Sequence, residues 1–322
     1  MPELRKDPLI GRWVIIATER AKRPVDFIAF HDEPSPQADC PFCAGNEGQT
    51  PKEIMVLPTA GSGSDPSGWQ IRVVPSINPV LRIEGALEPE GIGLYDRMSG
   101  VGAHEVVIET PDHTATLATL PEAAVTDVFW AYRERIVDLK KDPRFEYVLI
   151  FKNHGEAAGA SLEHPHSQLI ATPIVPIMVE EELEGSARYF RKKERCVWCD
   201  IIRQERQGDG RVIREGEGFI TLAPFAPRFP FETWILPTTH RAAYDEVGPE
   251  EVRALAVVVA DLIGRMNRVL TDPPFNFMLH SAPLRAPALQ DFHWHLEIIP
   301  ILSRVAGFEW GSGFFINPLP PE

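Results

Sequence analysis

The sequence predicts an α+β fold made by one internal duplication, with antiparallel sheets and packed helices in each half. Three observations predict it. Cys-x-x-Cys occurs twice, as Cys40/Cys43 and Cys196/Cys199. Each pair is followed by the same order of strand, helix and strand patterns. Each half then reaches a paired-histidine segment, His164-Pro-His166 and His293-Trp-His295.

The elements follow in matched order. After the cysteines each half gives strands broken by proline, GWQIRVVPSINP (68–79) and GFITLAPFAP (218–227). Next come β-rich runs that close on a histidine, HEVVIETPDH ending at His113 and FETWILPTTH ending at His240. Their alternating Val, Ile, Trp and Leu favour half-buried strands. A helical pattern follows in each half, 120–141 and 248–270, with Pro121 and Pro249 at the first turn. Strand patterns FEYVLIFKN (145–153) and FNFMLHS (275–281) then lead to the paired histidines. His113 to His164 spans 51 residues and His240 to His293 spans 53. A period this long is a duplicated domain and not a short-repeat solenoid. The two units are read as 1–175 and 190–322, joined near 173–195, where Pro173, Pro176 and the acidic run Glu180–Glu182 interrupt the pattern.

The 322 residues suffice for two cores of about 150 residues each. With 44% hydrophobic and 24% charged residues, the composition is that of a globular protein. A net charge of −14 disfavours nucleic acid as a partner. No apolar run reaches the ~18 residues of a membrane span, and the first residues lack the apolar block of a signal peptide. A cytoplasmic protein without a membrane partner is expected.

In a reducing compartment, paired cysteines suggest metal or redox chemistry more than disulfides. Neither pair lies in the βαβ setting of a thioredoxin-like motif. Zinc takes thiolates and imidazoles in fours. The repeat supplies two histidines for each cysteine pair. One zinc is therefore assigned to Cys40, Cys43, His113 and His164, and a second to Cys196, Cys199, His240 and His293. An alternative groups His280, His293 and His295 with an acid such as Glu182, which leaves Cys196 and Cys199 free.

The segment 153–173, NHGEAAGASLEHPHSQLIATP, carries the candidate chemistry. Its small residues from Gly155 to Gly159 let backbone amides approach a phosphate. Along an extended segment His164, His166 and Gln168 point to one side. With His164 on zinc, His166 is held nearby, and its neutral imidazole can attack phosphorus. Gln168 and Ser161 can donate to phosphate oxygens. His295 is the counterpart of His166, but lacks the Gly-rich lead and the following Ser-Gln.

Here the sequence resembles the histidine-triad superfamily, in its galactose-1-phosphate uridylyltransferase branch. The resemblance rests on DPLIGRWVIIATERAKRP (7–24), CPFC, TPDH, KNHGEAAGAS, HPHSQ, PFETWILPTTH and HWHLEIIP, and covers almost the whole chain. It implies two histidine-triad-like domains, the first catalytic and the second a silent copy, and a homodimer whose active site the partner subunit completes. It implies nucleotidyl transfer between a sugar nucleotide and a sugar 1-phosphate, with a covalent intermediate on His166. Gln168 stands where hydrolase branches carry a third His, and would stabilise that intermediate. Arg20 and Arg23 would bind phosphate, Asn153, Gly159 and Ser161 would hold the nucleotidyl group, and Asn78 would line the nucleotide pocket. Outside the resemblance, Arg20 and Arg23 read as a solvated charge cluster, and Asn78 before Pro79 as turn chemistry.

Two features depart from the well-known bacterial uridylyltransferases: Ser167 stands where they have Gly, and the tail 307–321 lacks their hexose-reading acid. Both, together with the second Cys-x-x-Cys, resemble ADP-glucose phosphorylase, an adenylyl-transferring plant relative, and equally the archaeal and thermophile members named as uridylyltransferases. The expected donor is UDP-glucose with galactose 1-phosphate as acceptor. The alternatives are ADP-glucose with phosphate, and a zinc-stabilised nucleotide-binding module without turnover.

Overall fold

The computed structural model describes all residues except 21–39, 60–67, 209 and 287. Strands β1 (Glu3–Lys6) and β2 (Trp13–Ile16) open the chain. The first half continues with β3 (Met55–Pro58), β4 (Trp69–Pro75), the hairpin β5 (Glu90–Ile92) and β6 (Tyr95–Arg97), β7 (Ala103–Ile108), α1 (Glu122–Leu139), β8 (Tyr147–His154) and β9 (His166–Thr172). Helix α2 (Ile177–Lys193) connects the halves. The second half has α3 (Val197–Glu205), β10 (Val212–Gly216), β11 (Phe219–Leu222), β12 (Thr233–Pro237), α4 (Pro249–Leu270), β13 (Phe275–His280) and β14 (His295–Pro300). Helix α5 (Gly307–Ser312) and β15 (Phe315–Asn317) follow.

The α+β class and the antiparallel pairing match the sequence expectation. What differs is that the two half-sheets are one. Ten strands run in the order β10-β11-β12-β14-β13-β8-β9-β7-β4-β3. The halves meet where β13 pairs with β8, antiparallel, with Met278 opposite Phe151. Phe151 also pairs with Gln168, two residues after His166, and Met278 pairs with Glu297, two residues after His295. Phe151 and Met278 are thus each other's repeat counterparts, and a local two-fold passes between them. Such a self-complementary contact lets two like edges cover one another, which removes two exposed strand edges.

Strands β8 and β9 alternate buried and partly exposed positions, whereas β7 and β12, expected to be half-buried, are buried almost throughout because Val106, Ile108, Trp234 and Leu236 pack against the cysteine-pair segments on the other face. In β8, Val148, Ile150 and Lys152 are buried. Helices α1 and α4 pack against each other on this side of the sheet. Phe129 and Tyr132 of α1 contact Phe277 of β13, so one hydrophobic core serves both halves. Each such fully buried ring contributes about 1.5–3 kcal/mol. Pro249 occupies the first turn of α4 as expected, whereas Pro121 is the N-cap of α1.

The segment read as an interruption at 173–195 is largely helical. Pro176 is extended and caps α2, and Glu180 lies in its first turn, where a carboxylate favours the helix dipole. A small second sheet ties the chain ends together: β2 pairs antiparallel with β1 and parallel with β15. Val14 and Ile16 bury against Ala226 and Phe315. This brings Arg20 beside the C-terminal segment.

Candidate active site and metal centres

The four residues assigned to each metal converge. Cys40, Cys43, His113 and His164 present ligand atoms within 4.8 Å of one another, and so do Cys196, Cys199, His240 and His293. Cys43 Sγ is 3.3 Å from His113 Nδ1 and 3.5 Å from His164 Nδ1. Cys199 Sγ is 3.6 Å from His240 Nδ1 and 3.8 Å from His293 Nδ1. A tetrahedral zinc with ordinary bond lengths sets such atoms ~3.5 Å apart. The outer nitrogens are also committed. His164 Nε2 donates to the Thr110 carbonyl at 2.7 Å, and His293 Nε2 to that of Pro237 at 2.9 Å. These bonds leave Nδ1 unprotonated and turned inward, the form that ligates. Burial, with the opposing Thr110 bond the lesser effect, pushes His164 down to about 4, so it stays neutral. Burial and Cys40 push the Cys43 thiol up to about 11, so two thiolates there need a cation. In the second pair, Cys196 is the N-cap residue of α3 and Cys199 lies in its first turn.

A third group, Glu182, His280 and His295, also lies within 4.8 Å. His280 Nδ1 donates to Glu182 Oε2 at 3.1 Å, and the His280 and His295 rings stack at 4.5 Å. His293 turns toward the cysteines instead, which separates the two alternatives the sequence left open.

His166 begins β9 and is 5% exposed. Its Nδ1 donates to the His164 carbonyl at 2.8 Å, so the lone pair belongs to Nε2. The zinc-candidate histidine thereby orients its neighbour through the backbone. The Phe42 ring, from the first Cys-x-x-Cys, packs edge-on against it at 5.3 Å. Burial and the Lys152 ammonium hold the imidazole's pKa below its ordinary value, keeping it neutral. Beneath the strand lies a buried polar chain. Lys152 Nζ donates to Glu109 Oε2 at 2.7 Å and to the His166 carbonyl at 3.0 Å. Ser167 Oγ donates to Glu109 Oε1 at 2.7 Å, and Tyr132 hydrogen-bonds Ser167.

Gln168 lies on the same side of β9 as His166. Val80 N–H donates to His104 Nδ1 at 3.3 Å, so His104 Nε2 carries the proton and donates to Gln168 Oε1 at 2.8 Å. The Gln168 amide is thus oriented with its NH2 as the group that can donate to a ligand. Asn78 is exposed in the turn that also carries Val80.

Asn153 ends β8 above the Gly-rich loop, with its Nδ2 donating to the Gly159 carbonyl at 3.3 Å. Gly159 has φ +91°, and a Cβ there would sit 3.4 Å from Asn153 Nδ2, so glycine suits this turn. Asn276, from the second half, donates to Asn153 Oδ1 and to the Ala158 carbonyl, both at 2.8 Å. Ser161 is exposed on the same loop. Arg20 is brought elsewhere. It lines a cavity of about 310 Å³ with Arg228, Arg304 and Phe315, which includes none of the residues around His166. Arg23 lies outside the described residues.

The comparisons with known proteins agree along the whole chain. Family models for the N-terminal and C-terminal domains of galactose-1-phosphate uridyl transferase match residues 83–176 and 182–310. ADP-glucose phosphorylase of Arabidopsis thaliana is 37% identical, covering 100% of this chain and 90% of that protein. The chain belongs to the galactose-1-phosphate uridylyltransferase family. Galactose-1-phosphate uridylyltransferase of Thermotoga maritima is 29% identical, covering 100% of this chain and 96% of that protein. The crystal structure of the Arabidopsis thaliana ADP-glucose phosphorylase with bound ADP-glucose superposes with a TM-score of 0.84 at 35% identity, covering 100% of this chain and 96% of that one. As a member of the galactose-1-phosphate uridylyltransferase family, the chain is an enzyme of the nucleotidyltransferase class.

Sequence reasoning missed His104, Glu109, Tyr132, Lys152 and Asn276. One signal was available. Lys152 falls in register with Val148 and Ile150, on the buried side of a strand, where an unpaired ammonium is costly. The others act through pairings across the sheet, which a single sequence does not display.

Proposed function

We propose that the chain transfers a nucleoside monophosphate from a sugar nucleotide through a covalent adduct on His166. The single observation that carries this is the His166 ring itself. It is neutral, its Nδ1 is tied to the His164 carbonyl, and Nε2 holds the lone pair. Nε2 attacks the α-phosphorus, an N–P bond forms, and the P–O bond to the leaving sugar phosphate breaks. An acceptor phosphate oxygen then attacks the same phosphorus, and the N–P electron pair returns to Nε2. The Gln168 NH2, set by His104, donates to an oxygen of the nucleotidyl phosphate as charge develops. Asn153, Gly159 and Ser161 form the loop on which the nucleotidyl group rests, and Asn78 borders it.

The two Cys2His2 groups fit zinc in donor type and spacing. With four protein ligands each, zinc would serve as a brace that fixes His164 and its carbonyl. Arg20, with Arg304 in the cavity at the chain's end, is read as the phosphate-binding element that a partner subunit would receive in a homodimer. Domain limits of 1–175 and 190–322 remain the reading that separates the catalytic motif from its silent copy.

For the donor we place ADP-glucose with phosphate as acceptor ahead of UDP-glucose with galactose 1-phosphate. The whole-chain identity to ADP-glucose phosphorylase, 37% against 29%, favours it. Incubation with each donor, followed by intact mass, tests both levels. An adenylyl adduct supports the preferred donor, a uridylyl adduct reverses the order, and no adduct with either removes the covalent reading. Chelation that leaves folding and both cysteine pairs' environments unchanged would remove the zinc reading.

A further inference from the structure

The ladder between β8 and β9 stops at Phe151–Gln168. One step further, the His166 carbonyl is met by the Lys152 ammonium at 3.0 Å. At the same place in the second half the ladder continues, and His280 pairs with His295. By register Lys152 and Ser167 correspond to Leu279 and Leu296, which are 1% and 0% exposed. Counted back from the carbonyls that receive His164 and His293, those of Thr110 and Pro237, Glu109 corresponds to Leu236, which is 0% exposed. Ile108 lies opposite His166, and the carbonyl that receives His164 Nε2 is Thr110, two residues on. In the second half Ile235 lies opposite Leu296, which puts Leu236 opposite His295, and the receiving carbonyl, Pro237, is the next residue. Relative to the facing strand the first half is therefore offset by one residue, and Glu109, at that offset, anchors the ammonium.

The fold thus contains its own control. The same sheet closes over leucines in one half and is parted around a buried ion pair in the other. A buried pair is weak evidence for stability, because desolvation offsets its attraction. At this position the pair is found only in the half with the Gly-rich lead before His166 and the Ser-Gln after it.

We infer that Lys152 is a positioning residue: anchored by Glu109, its ammonium holds the His166 carbonyl in place of a ladder N–H and keeps β8 and β9 parted beside the nucleophile. The separation sets where Asn153, at the end of β8, stands relative to His166. This rests on the covalent role proposed for His166.

The test is single-turnover adduct formation with ADP-glucose, and UDP-glucose in parallel, on the wild type, K152M/E109Q and K152R. The double variant removes both charges together, leaving no unpaired buried ion. It is expected to keep wild-type far-UV circular dichroism, to bind the donor within threefold, and to form adduct at least ~10-fold more slowly, since a displacement of about 1 Å can cost up to 10²-fold. K152R keeps the charge but not the ammonium's fit, and is expected to load at an intermediate rate. Should the double variant not fold, K152R decides alone: slower loading at unchanged affinity supports the inference, and wild-type loading overturns it. Loading by folded K152M/E109Q within twofold of wild type overturns the inference while leaving His166 as nucleophile. Absence of adduct on the wild type overturns the covalent reading and this inference with it.

Discussion

His166 and His295 occupy the same place in two copies of one fold, yet their surroundings differ in kind. Around His166 the polar groups are few and each is aimed. Lys152 takes its carbonyl, His164 its Nδ1, and His104 sets Gln168 two residues on. Around His295 the corresponding space is filled. Trp198 packs against the ring at 4.1 Å, tilted by 33°, and His280 stacks on it at 4.5 Å. Glu297 stands where the first half has Gln168, and Arg228 bonds to both Glu297 and Glu232. Burial and His280 push His295 down to about 4. Both imidazoles are therefore neutral and held by the preceding histidine's carbonyl. Neutrality and a fixed ring are not enough for a nucleophile. The loop, the amide donor and the parted strands distinguish the two.

The largest effect expected from this contrast is on His166. His166→Asn should lower nucleotidyl transfer by at least about 10³-fold, whereas His295→Asn should leave turnover within a few-fold and lower the melting temperature. Steady-state kinetics beside thermal melts checks both, and a comparable loss of turnover in the two variants would erase the distinction.

Gln168→Ala should come next. Loss of one donor to a developing oxyanion costs ~10²–10³ in turnover. His104→Phe should reproduce part of that loss, because the amide loses its fixed orientation. Equal KM with reduced kcat is the expected pattern.

The metal centres sharpen the comparison further. Cys43→Ser and Cys199→Ser should each release one equivalent of zinc, read by elemental analysis. Both should destabilise the fold. Activity per folded molecule should fall about tenfold or more only for Cys43→Ser, because His164, a proposed ligand of that centre, also orients His166, and small displacements at the proposed nucleophile are costly. Equal losses per folded molecule would show that the first centre does no more than the second.

The smallest effect concerns the second half's ion pair. Burial opposes charge on both partners, yet Glu182 and Glu297 raise His280 and His280 lowers Glu182. The histidine's contribution is complete below its unfolded value of about 6.5 and is lost as pH rises through its raised folded value. The carboxylate's is complete above about 4.5 and is lost as pH falls through its lowered one. Glu182→Gln should therefore cost about 1–2 kcal/mol near pH 6, and less at pH 9, in denaturant melts. A cost that does not shrink with pH would argue against the pair.

Much of the site was legible in the sequence because it is local or repeated. His164 and His166 sit in one strand, and the eight proposed metal ligands recur in the same order in both halves. The strand and helix patterns fell where β7, α1, β8 and their copies lie. The joining of the half-sheets was not legible, since nothing in β8 or β13 says which edge each will meet. Asn276 inherits its role from that joint: it reaches Asn153 only because the two strands pair. Lys152 was half legible, a charge at a buried strand position, but its anchor Glu109 appears only once the pairing across the sheet is known.

Peptide mapping of protein quenched after mixing with ADP-glucose or UDP-glucose tests the central claim most directly. The expected result is a single acid-labile nucleotidyl adduct, on the peptide that carries His166, and unmodified His295. Turnover without any adduct on His166, or adduct on the second motif, would contradict it.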